Sequence, residues 1–222
     1  MLYVMGDIHG FWSVLDNLSQ HLGPDDVVVQ VGDFGVDKFF ANPDYLKKLF
    51  EKIKYKLIFI DGNHEHFPTI GMWSKDSLTE IAPNVFYAPR GLVMELEGYL
   101  VGFLGGAESV DKAWRTIGKD WFPEERIQQE DVDLLVKNAN GRQLDILFTH
   151  APPQFAIAAN FPPLRESDWN LPLGWIDESS WKVSKAFWAI KPKKLYCGHM
   201  HKVVNHDNVR ILDINEVLPH KE

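Results

Sequence analysis

Short continuous apolar runs punctuate the chain. "LYVM" occupies 2–5, "VVVQV" 27–31, "LIFI" 57–60, "LDILF" 144–148 and "LYC" 195–197. Several are β-branched or aromatic, and each is followed at once by Gly, Asp or Thr. Unbroken apolarity of this length predicts strands covered on both faces. Between the first three runs the period lengthens. "FWSVLDNLSQHL" (11–22) sets Phe11, Val14, Leu15, Leu18 and Leu22 on one helical face. "NPDYLKKLFEKI" (42–53) opens with Asn42 as an N-cap and Pro43 at the first helical position. Strand–helix alternation of this kind predicts a layered α/β protein.

The middle of the chain changes character. "GLVMELEGYLVGFLGG", with its turn at Glu97-Gly98, predicts a hairpin near 91–104. A Trp/Pro-rich region around 105–181 follows, broken by the 144–148 strand and by a helix near 124–138 that Pro123-Glu124-Glu125 would open. "SSWKVSKAFWAI" (179–190) predicts a helix capped by Ser179 or Ser180, and "VRILDI" a last strand. With no internal repeat or low-complexity tract, residues 1–222 are expected to form a single domain.

Composition narrows the function classes. The chain is 45% hydrophobic with 14 Phe and 8 Trp, enough for a sizeable core. Its net charge of −8 lacks the basic footprint of a long-nucleic-acid binder. Cys197 is the only cysteine, so no intrachain disulfide can form. No apolar run approaches the roughly 20 residues that span a bilayer, and "MLYVMGDIHG" leads straight into polar chemistry. No membrane partner is expected, and a cytoplasmic location is.

Residues able to hold a metal gather where the strands end. "GDIHG" supplies Asp7 and His9, "VGD" Asp33, "DGNHE" Asn63 and His64, "LDILFTH" His150, and "LYCGHMH" His199 and His201. Open α/β folds place their sites at this carboxyl edge. In D-x-H and H-x-H, alternate side chains of an extended loop aim the same way, so one ion can take two ligands. Imidazole and carboxylate without thiolate suit Mn, Fe or Zn and argue against a structural zinc site.

The ordered set D-x-H, G-D, G-N-H-E, H and G-H-x-H resembles the calcineurin-like metallophosphoesterase family from residue 5 to about 214, and the segment 105–125 resembles a stretch of its bacterial and bacteriophage branch. The resemblance implies a four-layer α/β/β/α sandwich with mixed sheets. It also implies two divalent ions, Mn most naturally, with Fe, Zn or Ni as other candidates. Asp7, His9 and His201 would bind one ion, and Asn63, His150 and His199 the other. Asp33 would bridge them, since two cations about 3.5–4 Å apart favour a shared carboxylate. A metal-activated hydroxide would then attack phosphorus. His64 would protonate the leaving oxygen or stabilise phosphoryl charge, and Asp7 would also orient His64. Asn63 and Arg115 would bind substrate, with Lys112 and Lys119 as further cations in "GGAESVDKAWRTIGKDWFPEE".

The serine/threonine phosphatase branch continues its second motif as G-D-x-x-D-R-G and places arginine before G-N-H-E. This chain has Gly35-Val36 and Asp61 at those places. Without both cations, a small phosphodiester, either a cyclic nucleotide or a short nucleic acid, is the expected substrate. A phosphomonoester or phosphoprotein is the alternative, and a non-catalytic scaffold of the same fold is disfavoured because every ligand is present. Asp37, one position beyond the second acid of that pattern, is expected to be a loop residue. His21, His66, His206 and His220 are expected at the surface, and Cys197 in the core.

Overall fold

The computed structural model describes residues 1–221. One six-stranded sheet contains β1 (Leu2–Met5), β2 (Val27–Gln30), β3 (Lys56–Phe59), β4 (Thr79–Ala82) and β5 (Val85–Tyr87). The second contains β6 (Val93–Leu96), β7 (Tyr99–Leu104), β8 (Ile146–Thr149), β9 (Lys194–Cys197), β10 (Val204–His206) and β11 (Val209–Ile211). A final strand, β12 (Val217–Pro219), returns to the edge of the first sheet, giving the orders β12-β1-β2-β3-β5-β4 and β10-β11-β9-β8-β7-β6. In each sheet the four inner strands are parallel and both edges are antiparallel. The helices are α1 (Ser13–Leu18), α2 (Pro43–Phe50), α3 (Phe67–Ile70), α4 (Gln129–Ala139), α5 (Gln154–Asn160) and α6 (Glu178–Ile190).

Strand alternation builds the layers. Met5, Val28, Leu57 and Phe59 pack outward with Leu15 of α1 and Leu46, Leu49 and Phe50 of α2. Their neighbours Val4, Val29 and Ile58 turn inward to meet Val101, Phe103, Ile146, Phe148 and Tyr196 of the second sheet. On its other face Leu147, Leu195 and Cys197 pack with Val132 and Leu135 of α4 and Val183 and Phe187 of α6. The result is the expected α/β/β/α sandwich of two mixed sheets. Phe103 and Phe148 stack at 5.6 Å in its middle, where truncating either to alanine would cost about 3–5 kcal/mol.

Local differences from expectation have identifiable causes. The first helix is shorter than 11–22, and Phe11 is exposed rather than on its buried face. Asn42 caps α2 as expected, its side chain accepting the Tyr45 N–H at 3.2 Å. The cap of α6 is Asp177, not Ser179 or Ser180. Its carboxylate accepts the Ser180 N–H at 2.9 Å, while Ser179 Oγ accepts the Ile127 N–H at 3.2 Å from beyond the helix. Pro123–Glu125 forms a separate 3-10 turn, and α4 starts only at Gln129. The strand at "VRILDI" is not the last, because β12 pairs antiparallel with β1 after it.

Candidate metal centre

The loops that leave the carboxyl ends of β1, β2, β3, β8 and β9 carry all the predicted ligands to one place. Asp7 is fully buried, and both its oxygens accept the His199 N–H, at 3.1 and 3.0 Å. Its Oδ2 lies 3.1 Å from His201 Nε2 and 3.8 Å from His9 Nε2, whereas His9 and His201 bring their Nε2 atoms within 3.0 Å. Asp33 sits between the two halves of the cluster. Its Oδ1 accepts the His64 N–H at 2.8 Å. Its Oδ2 is buried without a hydrogen bond, 3.6 Å from His9 Nε2 and 3.4 Å from His150 Nε2. His150 donates Nδ1–H to the Val31 carbonyl at 2.8 Å, so its Nε2 faces Asn63 Oδ1 at 3.1 Å. The His199 ring lies edge-on to that of His150 at 5.1 Å.

This donor set fits divalent metal. Donor atoms of Asp7, His9, Asp33 and His201 lie within 4.8 Å of one another. A buried carboxylate oxygen left unpartnered among imidazole nitrogens is costly unless a cation completes it. The backbone is shaped for the purpose. A Cβ at Gly62 would stand 2.0 Å from Asp33 Oδ1, and one at Gly198 would stand 1.9 Å from Asp7 Oδ1. His9, Asp33, His199 and His201 all take positive φ, between 46° and 68°, a conformation that costs non-glycine residues about 1–2 kcal/mol each. Such strain concentrates at functional sites.

Charge follows the same geometry. Burial pushes His150 down, but Asp33 and Asp7 outweigh it and lift the imidazole to about 10. His199 is held at about 3 by burial and by His150, so its ring stays neutral and able to ligate. Against burial, the histidines around Asp33 draw its carboxyl well below the ordinary range, with His150 the largest contributor.

His64 and Arg115 stand beside the cluster. The His64 ring is edge-on to His9 at 5.2 Å, and Arg115 Nη2 lies 2.7 and 2.6 Å from its two nitrogens. Arg115 is held in turn by Asp111, through Nε at 2.9 Å and Nη2 at 2.8 Å. Burial, Arg115 and His9 together lower the His64 pKa against the pull of Asp33 and Asp111. The acid linked to His64 through a side chain is thus Asp111, by way of Arg115, and the carboxylate of Asp7 serves His199 and His201 instead. Lys119 is exposed on a turn beyond Arg115, and Asp37 is exposed outside the cluster.

Four supporting residues went unread in the sequence. Glu65 is buried, and its carboxylate accepts the N–H groups of Phe34 (2.6 Å), Gly35 (3.2 Å) and Val36 (2.7 Å). It thereby folds the loop after Asp33 inward, and the glutamate of "GNHE" was its available signal. Gln30 cross-links the first two loops by donating to the Gly6 carbonyl at 3.1 Å. Ser109 receives Asn63 Nδ2 at 3.0 Å and donates to Glu125 at 2.7 Å. Both lie in the 105–125 segment, which was read for its cations and not for this pair. Among the histidines expected at the surface, His66 is half-buried between the rings of Phe40 and Phe122, and His220 packs on Tyr99 and hydrogen-bonds Tyr196.

Two helix-flanked mixed sheets gather carboxylates and imidazoles at the carboxyl ends of their parallel strands, which makes a candidate metal centre. Residues 1–203 match the calcineurin-like phosphoesterase family, and the chain belongs to that family. A solved crystal structure superposes with a TM-score of 0.56 at 14% identity, covering 96% of this chain and 89% of the other, a likeness of fold alone. The protein of unknown function AQ665 from Aquifex aeolicus aligns at 15% identity over 77% of this chain and 86% of its own, with a TM-score of 0.35 that carries no argument. No curated protein sequence matches. Among the described residues, no helix is long and apolar enough to cross a membrane.

Proposed function

We propose that the protein is a two-metal phosphodiesterase, acting in the cytoplasm on a small diester such as a cyclic nucleotide or a short nucleic acid. The observation that carries this reading is how the two arginine-lacking loops are built. Gly35, at φ 103°, and its neighbours turn their N–H groups onto Glu65, and Lys38 places its ammonium on the His9 carbonyl. Asp61 is 1% exposed and bound by Arg90 through Nε at 2.8 Å and Nη2 at 2.6 Å. That arginine serves the wall of the fold instead of a phosphate dianion. A diester, with one fewer negative charge, makes less demand for such cations.

Asp7, His9 and His201 would hold one ion and Asn63, His150 and His199 the other, with the Asp33 carboxylate shared by both. Two divalent cations, Mn²⁺ foremost, would supply charge to activate water and to grip the phosphoryl oxygens. His64 is anchored by its backbone to Asp33, and its ring would give a proton to the leaving oxygen. Arg115 beside it makes that proton easier to release and offers N–H groups to a non-bridging oxygen. Arg115 is also the observation favouring the alternative, a phosphomonoester or phosphoprotein, because it retains one cation near the site. Hydrolysis of bis-p-nitrophenyl phosphate and p-nitrophenyl phosphate with Mn²⁺ distinguishes the two. The diester should be preferred, and Asp33→Asn and His64→Ala should each abolish most turnover. Monoester preference would overturn the diesterase reading, and no metal-dependent turnover of either ester would overturn the enzyme.

A further inference from the structure

Behind Asn63 runs a directional pair of hydrogen bonds. Asn63 Nδ2 meets Ser109 Oγ at 3.0 Å, Ser109 Oγ meets Glu125 Oε2 at 2.7 Å, and the Ser109 N–H meets Glu125 Oε1 at 2.8 Å. Asn63, Ser109 and Glu125 are 4%, 1% and 0% exposed, so water has little access to substitute for any partner. The carbonyl of Glu125 is itself fixed, accepting the Ala107 N–H at 3.0 Å and Arg90 Nη2 at 3.1 Å.

The far end of this pair sets the direction of the near end. An ionised carboxylate has only acceptors, so Ser109 must spend its single hydroxyl proton on Glu125. The serine oxygen is then left to accept, and only the amide nitrogen of Asn63 can donate to it. Asn63 therefore turns its carbonyl oxygen the other way, toward His150 Nε2 at 3.1 Å, on the side where Asp33 Oδ2 lacks a partner. The orientation of a buried asparagine amide follows from its hydrogen-bond network, and here the network permits one direction. That direction matters because an amide ligates a hard cation through oxygen and not through its NH₂ group.

We propose that Ser109 and Glu125 are positioning residues that fix which atom Asn63 presents to a divalent cation, with the Glu125 carboxylate setting the polarity. This rests on the two-metal reading above and adds residues outside its ligand-bearing motifs. Glu125→Gln is nearly isosteric yet reverses the direction. The Ser109 N–H still requires an acceptor, so the glutamine oxygen stays there and its NH₂ group turns to Ser109 Oγ. The hydroxyl then donates to Asn63, whose oxygen swings to receive it, and the amide NH₂ faces the cation. Ser109→Ala removes the lock without reversing it. A second substitution, Asn63→Asp, offers oxygen in both directions and should cancel the reversal.

The test is calorimetric titration of chelator-stripped protein with MnCl₂ at pH 8, above the value of about 7 to which burial raises Glu125. Wild type should take two ions. Glu125→Gln should weaken one of the two by about 10- to 100-fold, the range usual for losing an outer-shell partner. Ser109→Ala should weaken the same ion less. Asn63→Asp adds a ligand charge that tightens Mn²⁺ by itself, so the double variant is compared with Asn63→Asp alone: adding Glu125→Gln to it should change affinity far less than Glu125→Gln changes wild type. A purely structural role for Glu125 would predict the same loss in both backgrounds. Wild-type binding by Glu125→Gln, or the same loss in both backgrounds, overturns the inference while leaving the two-metal reading intact. A wild-type protein that binds no Mn²⁺ overturns both. If Glu125→Gln does not fold, Ser109→Ala in wild type and in Asn63→Asp carries the same comparison: a loss confined to wild type supports the inference, and wild-type binding or the same loss in both backgrounds overturns it.

Discussion

Arg90 is the most heavily committed cation in the wall around the site, and its removal should be costly. Besides its two bonds to Asp61, it donates to the Glu124 carbonyl at 2.9 Å, to the Arg126 carbonyl at 2.7 Å and to Asp131 at 3.2 Å. Its side chain is 12% exposed and that of Asp61 1%, so solvent screens the pair little. Arg90→Met leaves Asp61 buried with only the Tyr87 hydroxyl, 3.0 Å away, as a side-chain partner. Breaking a buried pair from one side costs about 3–5 kcal/mol. At about 2–4 °C per kcal/mol for a chain of this size, Tm should fall by roughly 6–20 °C. Most of that cost is the stranded carboxylate, so Asp61→Asn with Arg90→Met should destabilise less than the two single changes summed, with a coupling on the order of 0.5–3 kcal/mol. Urea unfolding of the metal-free protein measures both quantities. A loss below about 1 kcal/mol for Arg90→Met, or strict additivity in the double variant, would refute the reasoning, because such values belong to exposed pairs.

Three further outcomes are expected. Glu65→Gln sets an amide NH₂ against backbone donors that now share a carboxylate, so one buried N–H among Phe34–Val36 should lose its acceptor, at about 1–3 kcal/mol; unchanged hydrogen exchange at those amides would count against it. Gly198→Ala should displace Asp7, which its Cβ would approach to 1.9 Å, and weaken one Mn²⁺ by about 10-fold or more, read by calorimetry; wild-type affinity would contradict the crowding. The third concerns pH. His150 at about 10 in the metal-free fold lies above its unfolded value of 6.5, so its contribution to stability is full below 6.5 and is lost as pH rises through 10. A bound cation must displace that proton, so Mn²⁺ affinity should rise with pH across the same window and binding should release protons, counted in buffers of different ionisation enthalpy. Binding without proton release would refute it.

What the sequence could and could not disclose follows from the range of the forces involved. The inner strands were legible because parallel strands buried on both faces must be apolar throughout, as in "VVVQV". The candidate ligands were legible because each follows its strand directly. Edge strand β12 was not, since its three half-buried residues include Pro219 and its order comes from pairing with β1, more than 200 residues away in the chain. The cap at Asp177 was missed because Ser179 and Ser180 offered equally good local chemistry, and burial decided between them. Nor does composition reveal that His9, Asp33, His199 and His201 adopt left-handed backbone, which long-range packing enforces against local preference. Ser109 and Glu125 lie 16 residues apart within the 105–125 segment, at no ligand-bearing motif, and only the closed fold brings their bond against Asn63.

The contact between His9 and His201 closes a separation of 192 residues. Loop closure of that span carries its entropy cost before any local contact offsets it, so this half of the ligand cluster belongs among the late events of folding. Asp33 and His64, separated by 31 residues, can meet much earlier. A nascent chain emerging N-terminus first would therefore hold Asp7, His9 and Asp33 well before β9 delivers His199 and His201. On the two-metal reading, high-affinity metal capture would thus be a checkpoint of completed synthesis, and a chain cut anywhere before residue 199 would forfeit it.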